Sequence, residues 1–150
     1  MWEVFKVMKK KLKCVQCDSE NVEVIEVDDG IWIEEDVVCQ QCESHMIFDG
    51  EEYILHITDR DEWIDLFQET LELPFDAVVC EYQESSSIQY GDKVKVDRLL
   101  DEDDLYGVIV SIRKGRKKYS FPIVDLNPNN VSGKIKNLFN AYQYWFSNER

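Results

Sequence analysis

Four cysteines are the residues of this chain best placed to do chemistry. Cys14 and Cys17 form one C-x-x-C pair, and Cys39 and Cys42 form a second. The tight turn of a C-x-x-C pair points two thiolates at one spot, and two such turns joined by a short sheet make a tetrahedral sulfur cage. Zinc suits that cage, being soft enough for sulfur and needing no open coordination position. Four thiolates leave no place for water on the metal, so the expected Zn²⁺ is structural: it folds a segment whose own core is small. Free thiols, a disulfide, or an iron–sulfur or redox centre are the competing readings. His45 follows the second pair and is a spare ligand. His56 reads as a strand residue. Cys80 stands alone in an apolar run and reads as a small packed hydrophobe.

Bulk composition narrows the setting. The chain has 150 residues, 31 acidic against 17 basic, and a formal net charge of −14. With 44% hydrophobic and 12% aromatic residues it has enough apolar mass for a packed core. Such a charge repels phosphate backbones and attracts cations or basic partners. Metal ions are therefore the expected partners, with room for a protein. Nucleic acid is argued against despite two local basic clusters, Lys9–Lys13 and Arg113–Lys118. No stretch approaches the ~18 apolar residues of a membrane helix, and the start lacks the pattern of a signal peptide. A cytoplasmic location is expected, where thiols stay reduced and paired cysteines favour metal over disulfide.

The elements that would hold these residues fall into two parts. Residues 1–57 carry both cysteine pairs. Between the pairs, VEVIEV, a turn at Asp28-Asp29-Gly30 and IWIEEDVV alternate as a hairpin; MIF, Asp49-Gly50 and YILHI follow. This part is expected to be a zinc ribbon. Residues 58–150 open with a helix over 58–71, where Trp63, Phe67 and Leu71 recur at helical spacing and Thr58 or Asp59 caps. Five strands should follow: PFDAVVCEY, DKVKVDRL, YGVIVSI, KKYSFPI and a short VDL, with turns at SSS (85–87), Gly91-Asp92 and Lys114-Gly115. Short strands closing on themselves predict an SH3-like small β-barrel. A second helix from Ser132 places Ile135, Leu138, Phe139, Tyr142, Trp145 and Phe146 on one stripe. The class is α+β, mostly β, with no internal repeat and no low-complexity linker.

The second part resembles the CcbP-type calcium-binding family over about residues 60–150. The likeness is carried by LELPFDAVVC, then YGDKVKV, then the acid-rich DRLLDEDDLYG, then VIVSIRKGRKKYSFPIVDLNP, and IKNLFNAYQYWFSN at the end. Asn140-Ala141 stands where the family has a tryptophan, and the Arg-Lys turn is more basic than the family's. The cysteine pairs lie outside the resemblance. It implies a small β-rich domain that binds Ca²⁺ through surface carboxylates, without an EF-hand. The nearest EF-hand frame starts at Glu102 but puts Tyr106 fifth and Arg113 twelfth, where carboxylates are required.

Given that resemblance, the densest supply of calcium ligands is Asp97, Asp101, Glu102, Asp103 and Asp104 on one loop, where a divalent cation would relieve mutual repulsion. Asp59, Asp61, Glu62 and Asp65 at the helix start are a second supply. Asp28, Asp29, Glu34, Glu35 and Asp36 on the hairpin are a third. The expected function is calcium binding, as buffer or sensor, beside a structural zinc ribbon. The alternative is a zinc-ribbon and SH3-like adaptor for protein or nucleic acid, docking through aromatics such as Trp2, Trp32 or Tyr106. No nucleophile–base pair, Gly-rich phosphate loop or open metal position is found, so no enzyme is expected.

Overall fold

The computed structural model describes residues 13–28, 33–48, 51–83 and 87–149. Trp2, Trp32, Lys9, Lys10, Lys11, Ser85 and Ser86 lie outside the described residues, as do Asp29-Gly30 and Asp49-Gly50 of the expected turns. The chain divides into two compact units, 1–57 and 58–150.

The first unit is a four-stranded antiparallel meander. Its strands are β1 (Val22–Asp28), β2 (Ile33–Cys39), β3 (His45–Phe48) and β4 (Tyr53–Leu55), paired in that order. Register explains the core. Val24 lies opposite Val37, Val37 opposite Met46, and Met46 opposite Leu55, so one apolar row crosses all four strands. Val37 and Met46 pack with Cys14 and Cys39 into a small buried cluster, flanked by Val15, Val22, Val24 and Tyr53. The last strand is shorter than YILHI suggests, although His56 N–H still donates to His45 C=O at 2.8 Å.

The second unit begins with α1 (Arg60–Thr70). Asp59 caps it, its carboxylate accepting from Asp61 N–H at 3.0 Å. Then come β5 (Phe75–Val79), β6 (Lys93–Asp103), β7 (Gly107–Lys114), β8 (Lys117–Pro122), a 3₁₀ turn (Ile123–Asp125), β9 (Leu126–Asn129) and α2 (Gly133–Asn148). Ser132 caps α2, its hydroxyl accepting from Ile135 N–H at 3.3 Å. Trp63 and Phe67 of α1 meet α2 in edge-on ring contacts: Trp63 with Tyr142 at 5.2 Å, Phe67 with Phe139 at 5.5 Å. Phe139 also meets Phe75 of β5 at 5.8 Å. The sheet side of this core is Ala77, Val79, Val94, Val96, Val110 and Ile112, all buried.

The expected closed barrel does not form. The second sheet is antiparallel, in the order β8-β7-β6-β5-β9, with β8 and β9 as its two edges. Of the segment VDL, expected as a strand, Val124 and Asp125 turn as 3₁₀ helix instead, and Leu126 opens β9. That strand runs along β5, with Pro128 opposite Ala77. Proline has no N–H to give a further neighbour, which suits β9 to an edge. Among the described residues, no helix is long and apolar enough to cross a membrane.

Candidate metal sites

The four cysteines converge. Their sulfur atoms all lie within 4.8 Å of one another, with Cys14 to Cys42 at 3.5 Å and Cys17 to Cys39 at 3.6 Å. A tetrahedral zinc with Zn–S bonds of about 2.3 Å separates its sulfurs by roughly 3.8 Å, so the donor set fits that ion. Cys14 and Cys39 are buried and Cys17 and Cys42 exposed.

Two copies of one local structure build the cage. In CVQCDS (14–19), Cys14 N–H donates to Ser19 C=O at 2.8 Å and Asp18 N–H to Cys14 C=O at 3.0 Å. In CQQCES (39–44), Cys39 N–H donates to Ser44 C=O at 2.9 Å and Glu43 N–H to Cys39 C=O at 2.9 Å. The first sulfur of each accepts two backbone N–H groups: Gln16 at 3.3 Å and Cys17 at 3.4 Å, then Gln41 at 3.3 Å and Cys42 at 3.5 Å. The fifth residue of each is left-handed, Asp18 at φ 62° and Glu43 at φ 64°. The six-residue pattern Cys-x-x-Cys-acid-Ser thus occurs twice. Its signal is the matched acid and serine after each pair.

Four thiols this close cannot all ionise without a cation. Burial pushes the Cys14 thiol up to about 12. Burial also opposes ionisation of Cys42, but the Ser44 hydroxyl, 3.1 Å away, the Ser44 backbone N–H and the Cys14 and Cys17 thiols together outweigh it and bring that thiol down to about 6. A divalent ion replaces that uneven sharing of protons with four thiolates.

The carboxylates are arranged differently. The acid-rich segment is not the expected loop: β6 runs to Asp103, and only Asp104–Tyr106 turn before Gly107, at φ 75°. Alternating burial along β6 and cross-strand pairing with β7 hold it extended. Asp103 closes the turn, accepting from Leu105 N–H at 2.8 Å and Tyr106 N–H at 2.9 Å, and these bonds hold its carboxyl below the ordinary range. Asp101 accepts from Glu102 N–H at 2.8 Å. Glu102 and Asp104 both accept from Arg60 of α1, at 2.6 Å each. A cavity of about 150 Å³ lies here, lined by Arg60, Glu102, Asp103, Asp104, Gly107, Tyr142 and Trp145.

Asp97 sits apart from that turn, where the β6–β7 register slips between Val96 and Arg98. Its carboxylate lies 3.5 Å from Lys118 and 3.8 Å from Arg113. The Ser111 hydroxyl, then Lys118 and Arg113, hold its carboxyl below the ordinary range. Its other oxygen is buried without a hydrogen-bond partner. Among the described residues the four cysteines are the one group of three or more His, Cys, Asp or Glu whose ligand atoms come within 4.8 Å of one another. The acids are therefore close but do not converge.

Arg60 is the residue that sequence reasoning missed. Paired with carboxylates 42 and 44 residues away, it has no local signature. Its one hint is a cation inside TDRDEWID, an otherwise acidic helix start. Asp104 and then Glu102 raise its pKa still further. Cys80 is half-buried and pushed up to about 11 by burial, which keeps it a protonated, unreactive thiol.

A model of the CcbP family, described as calcium binding, matches residues 56–146. Among solved structures, the crystal structure of Anabaena CcbP is similar at 21% identity, covering 68% of this chain and 82% of that one with a TM-score of 0.48. No curated protein matches the chain.

Proposed function

Because the chain belongs to the CcbP calcium-binding family, we propose that it binds Ca²⁺, as buffer or sensor, at the acidic turn between β6 and β7. The observation that carries this is the family match over 56–146, most of the second unit. Glu102, Asp103 and Asp104 border one cavity and Asp101 adjoins them, which supplies hard oxygen donors of the kind calcium takes. Asp97, engaged by Ser111, Lys118 and Arg113, stays out of the ligand set. Arg60 is the resident cation there, and calcium has to compete with it. A sidearm that must be displaced suits weak, reversible binding better than a rigid cage.

Zn²⁺ at Cys14, Cys17, Cys39 and Cys42 is the second part of the proposal. It rests on the fit of the sulfur separations and on the repeated knuckle. Zinc there supplies cross-linking of the first unit and no open position for chemistry. The protein then acts in the cytoplasm as a binding protein and not as an enzyme.

Elemental analysis of the purified protein, followed by calorimetric titration with CaCl₂, tests both parts. One zinc per chain and a saturable calcium heat abolished by Asp103→Asn with Asp104→Asn are expected. Absence of heat at about millimolar Ca²⁺, the weak end of protein calcium sites, removes the calcium reading. A zinc-free protein with native β1–β4 removes the zinc reading.

A further inference from the structure

The exposed face of the second sheet carries a cluster of cations that calcium binding does not use. Asp76 lies opposite Lys95, Lys95 opposite Arg113, and Arg113 opposite Lys118, so one row crosses β5, β6, β7 and β8. Residues directly opposite on antiparallel strands share a face. All four are exposed, while their neighbours Ala77, Val94, Val96 and Ile112 are buried on the other face. Lys93 stands two residues before Lys95 on the same face. Neighbouring cations are thus about 4.8 Å apart across strands and roughly 6.8 Å apart along β6.

Like charges directly opposite destabilise a sheet. Asp97 relieves Arg113 and Lys118 in part, at 3.8 and 3.5 Å. Among the described residues Lys93 and Lys95 have no ion pair. A shallow groove of about 560 Å³ opens beside them, with Arg113, Gly115, Asn129, Asn130, Ala77 and Val94 in its lining, and with Asp76, opposite Lys95, as its one carboxylate against three cations. That volume is in the range of small-molecule sites. Lysine and arginine only donate, so the face wants an acceptor-rich anion whose charge spreads over several ångströms.

We propose that this groove binds a compact anion carrying two or more phosphoryl groups, held by Lys93, Lys95 and Arg113. The chain's net charge of −14 opposes a long polyanion, which would extend over the acidic surface. A ligand small enough to stay in the groove lies within a Debye length, about 8–10 Å, of the cations and is screened from much of the rest. Arg113 brings a fork matched to phosphoryl oxygens, and the lysines bring point charges.

The test titrates calcium-free, zinc-loaded full-length protein with sodium tripolyphosphate and separately with ATP. Saturable one-site binding that weakens about tenfold or more between 50 and 200 mM salt is expected from a site of several charge contacts. Equal affinities assign recognition to the phosphate chain, and tighter ATP adds a contact to the nucleoside; both support the site. Lys95→Glu should weaken binding by about tenfold and Lys95→Gln by less. Lys136→Glu, the same charge change on α2, should alter it by less than about twofold. Equal losses in Lys95→Glu and Lys136→Glu overturn the site. So does no saturable heat with either probe up to about 10 mM, a concentration beyond millimolar affinity. An oligonucleotide or acidic peptide that binds through Lys95 when tripolyphosphate does not also overturns the assignment to a compact phosphoanion.

Discussion

Stripping zinc should unfold β1–β4 and leave the second unit standing. Among the described residues of the first unit, the buried apolar side chains other than cysteine are Val37, Met46, Ile54 and Leu55. At roughly 1.5–3 kcal/mol each, four such side chains contribute about 6–12 kcal/mol of gross burial. A closed zinc centre contributes about 10–16 kcal/mol in comparable small domains. Metal is thus expected to supply at least about half of what opposes the ordering entropy of this sheet, about 1–2 kcal/mol for every residue fixed. Cys14 and Cys39 also form half of the buried cluster with Val37 and Met46, so losing the metal loosens the packing as well. The second unit has its own core, from Trp63 and Phe67 through Val96 and Ile112 to Tyr142. The assay is a ¹H–¹⁵N spectrum of the whole chain before and after a strong chelator, with released zinc counted. Amides of residues 22–55 should collapse to random-coil shifts, while the indole signals of Trp63 and Trp145 stay in place. Cys39→Ser should reproduce the spectrum without chelator. Native shifts in β1–β4 after complete zinc release would refute the reasoning. Loss of the Trp63 and Trp145 signals in step with the sheet would refute the independence of the two cores.

Arg60→Gln should raise calcium affinity severalfold by removing the competing cation from Glu102 and Asp104, whereas Arg60→Lys should change it less; calorimetry reads both, and an unchanged or weaker affinity in Arg60→Gln sinks the idea of competition. Asp97 and Asp103 have carboxyls depressed by the Ser111 hydroxyl and the Tyr106 N–H respectively. A depressed carboxyl contributes stability that is complete above its unfolded value, about 3.9, and lost as pH falls through the folded value. The melting temperature of the second unit should therefore show no loss from these two groups between about pH 7 and pH 5 and fall below about pH 4. Asp97→Asn should shrink that acid limb. Gly107→Ala drives a Cβ into the Tyr142 hydroxyl and to 2.9 Å from the Phe146 ring, at φ +75°. It should cost about 2–4 kcal/mol in urea unfolding and weaken calcium binding with it.

Much of this fold was legible where local signals were strong. Asp59 and Ser132, each placed before an apolar stripe, cap α1 and α2, and the stripes bury Trp63, Phe67, Leu138, Phe139 and Tyr142 as spaced. The two C-x-x-C pairs predicted a convergence that the sulfur separations bear out. What failed was non-local. Whether the second sheet closes depends on whether the last strand, beside β5, also pairs with β8, and VDL gives no sign of that; Pro128 gave a sign that alternation alone does not weigh. The acid-rich segment looked like a loop because charge density reads as solvent exposure. Cross-strand bonds to β7 nevertheless keep it extended as far as Asp103. Arg60 could not be placed at the acids at all, because only tertiary structure brings it within 2.6 Å of Glu102 and Asp104.

β6 explains why cations and carboxylates can occupy one strand without cancelling. Each inserted residue flips the faces of the strand beyond it, and β6 has two such slips, at Asp97 and at Leu100. Two flips restore the original alternation. Lys95 opposite Arg113 and Asp101 opposite Ile109 therefore share the outward face. Glu102, opposite Val108, returns to the side of Val94 and Val96. Its side chain is accordingly only 13% exposed, and it is there that Arg60 reaches it. With one slip in place of two, Glu102 would point outward and Arg60 would lose its less exposed partner. The first slip also puts Asp97 between the basic end and the acidic end, where it serves Lys118 and Arg113. The same pair of insertions thus segregates the two charges along the strand. It leaves Lys93 and Lys95 without an ion pair among the described residues and ties the acidic turn to helix α1 through Arg60.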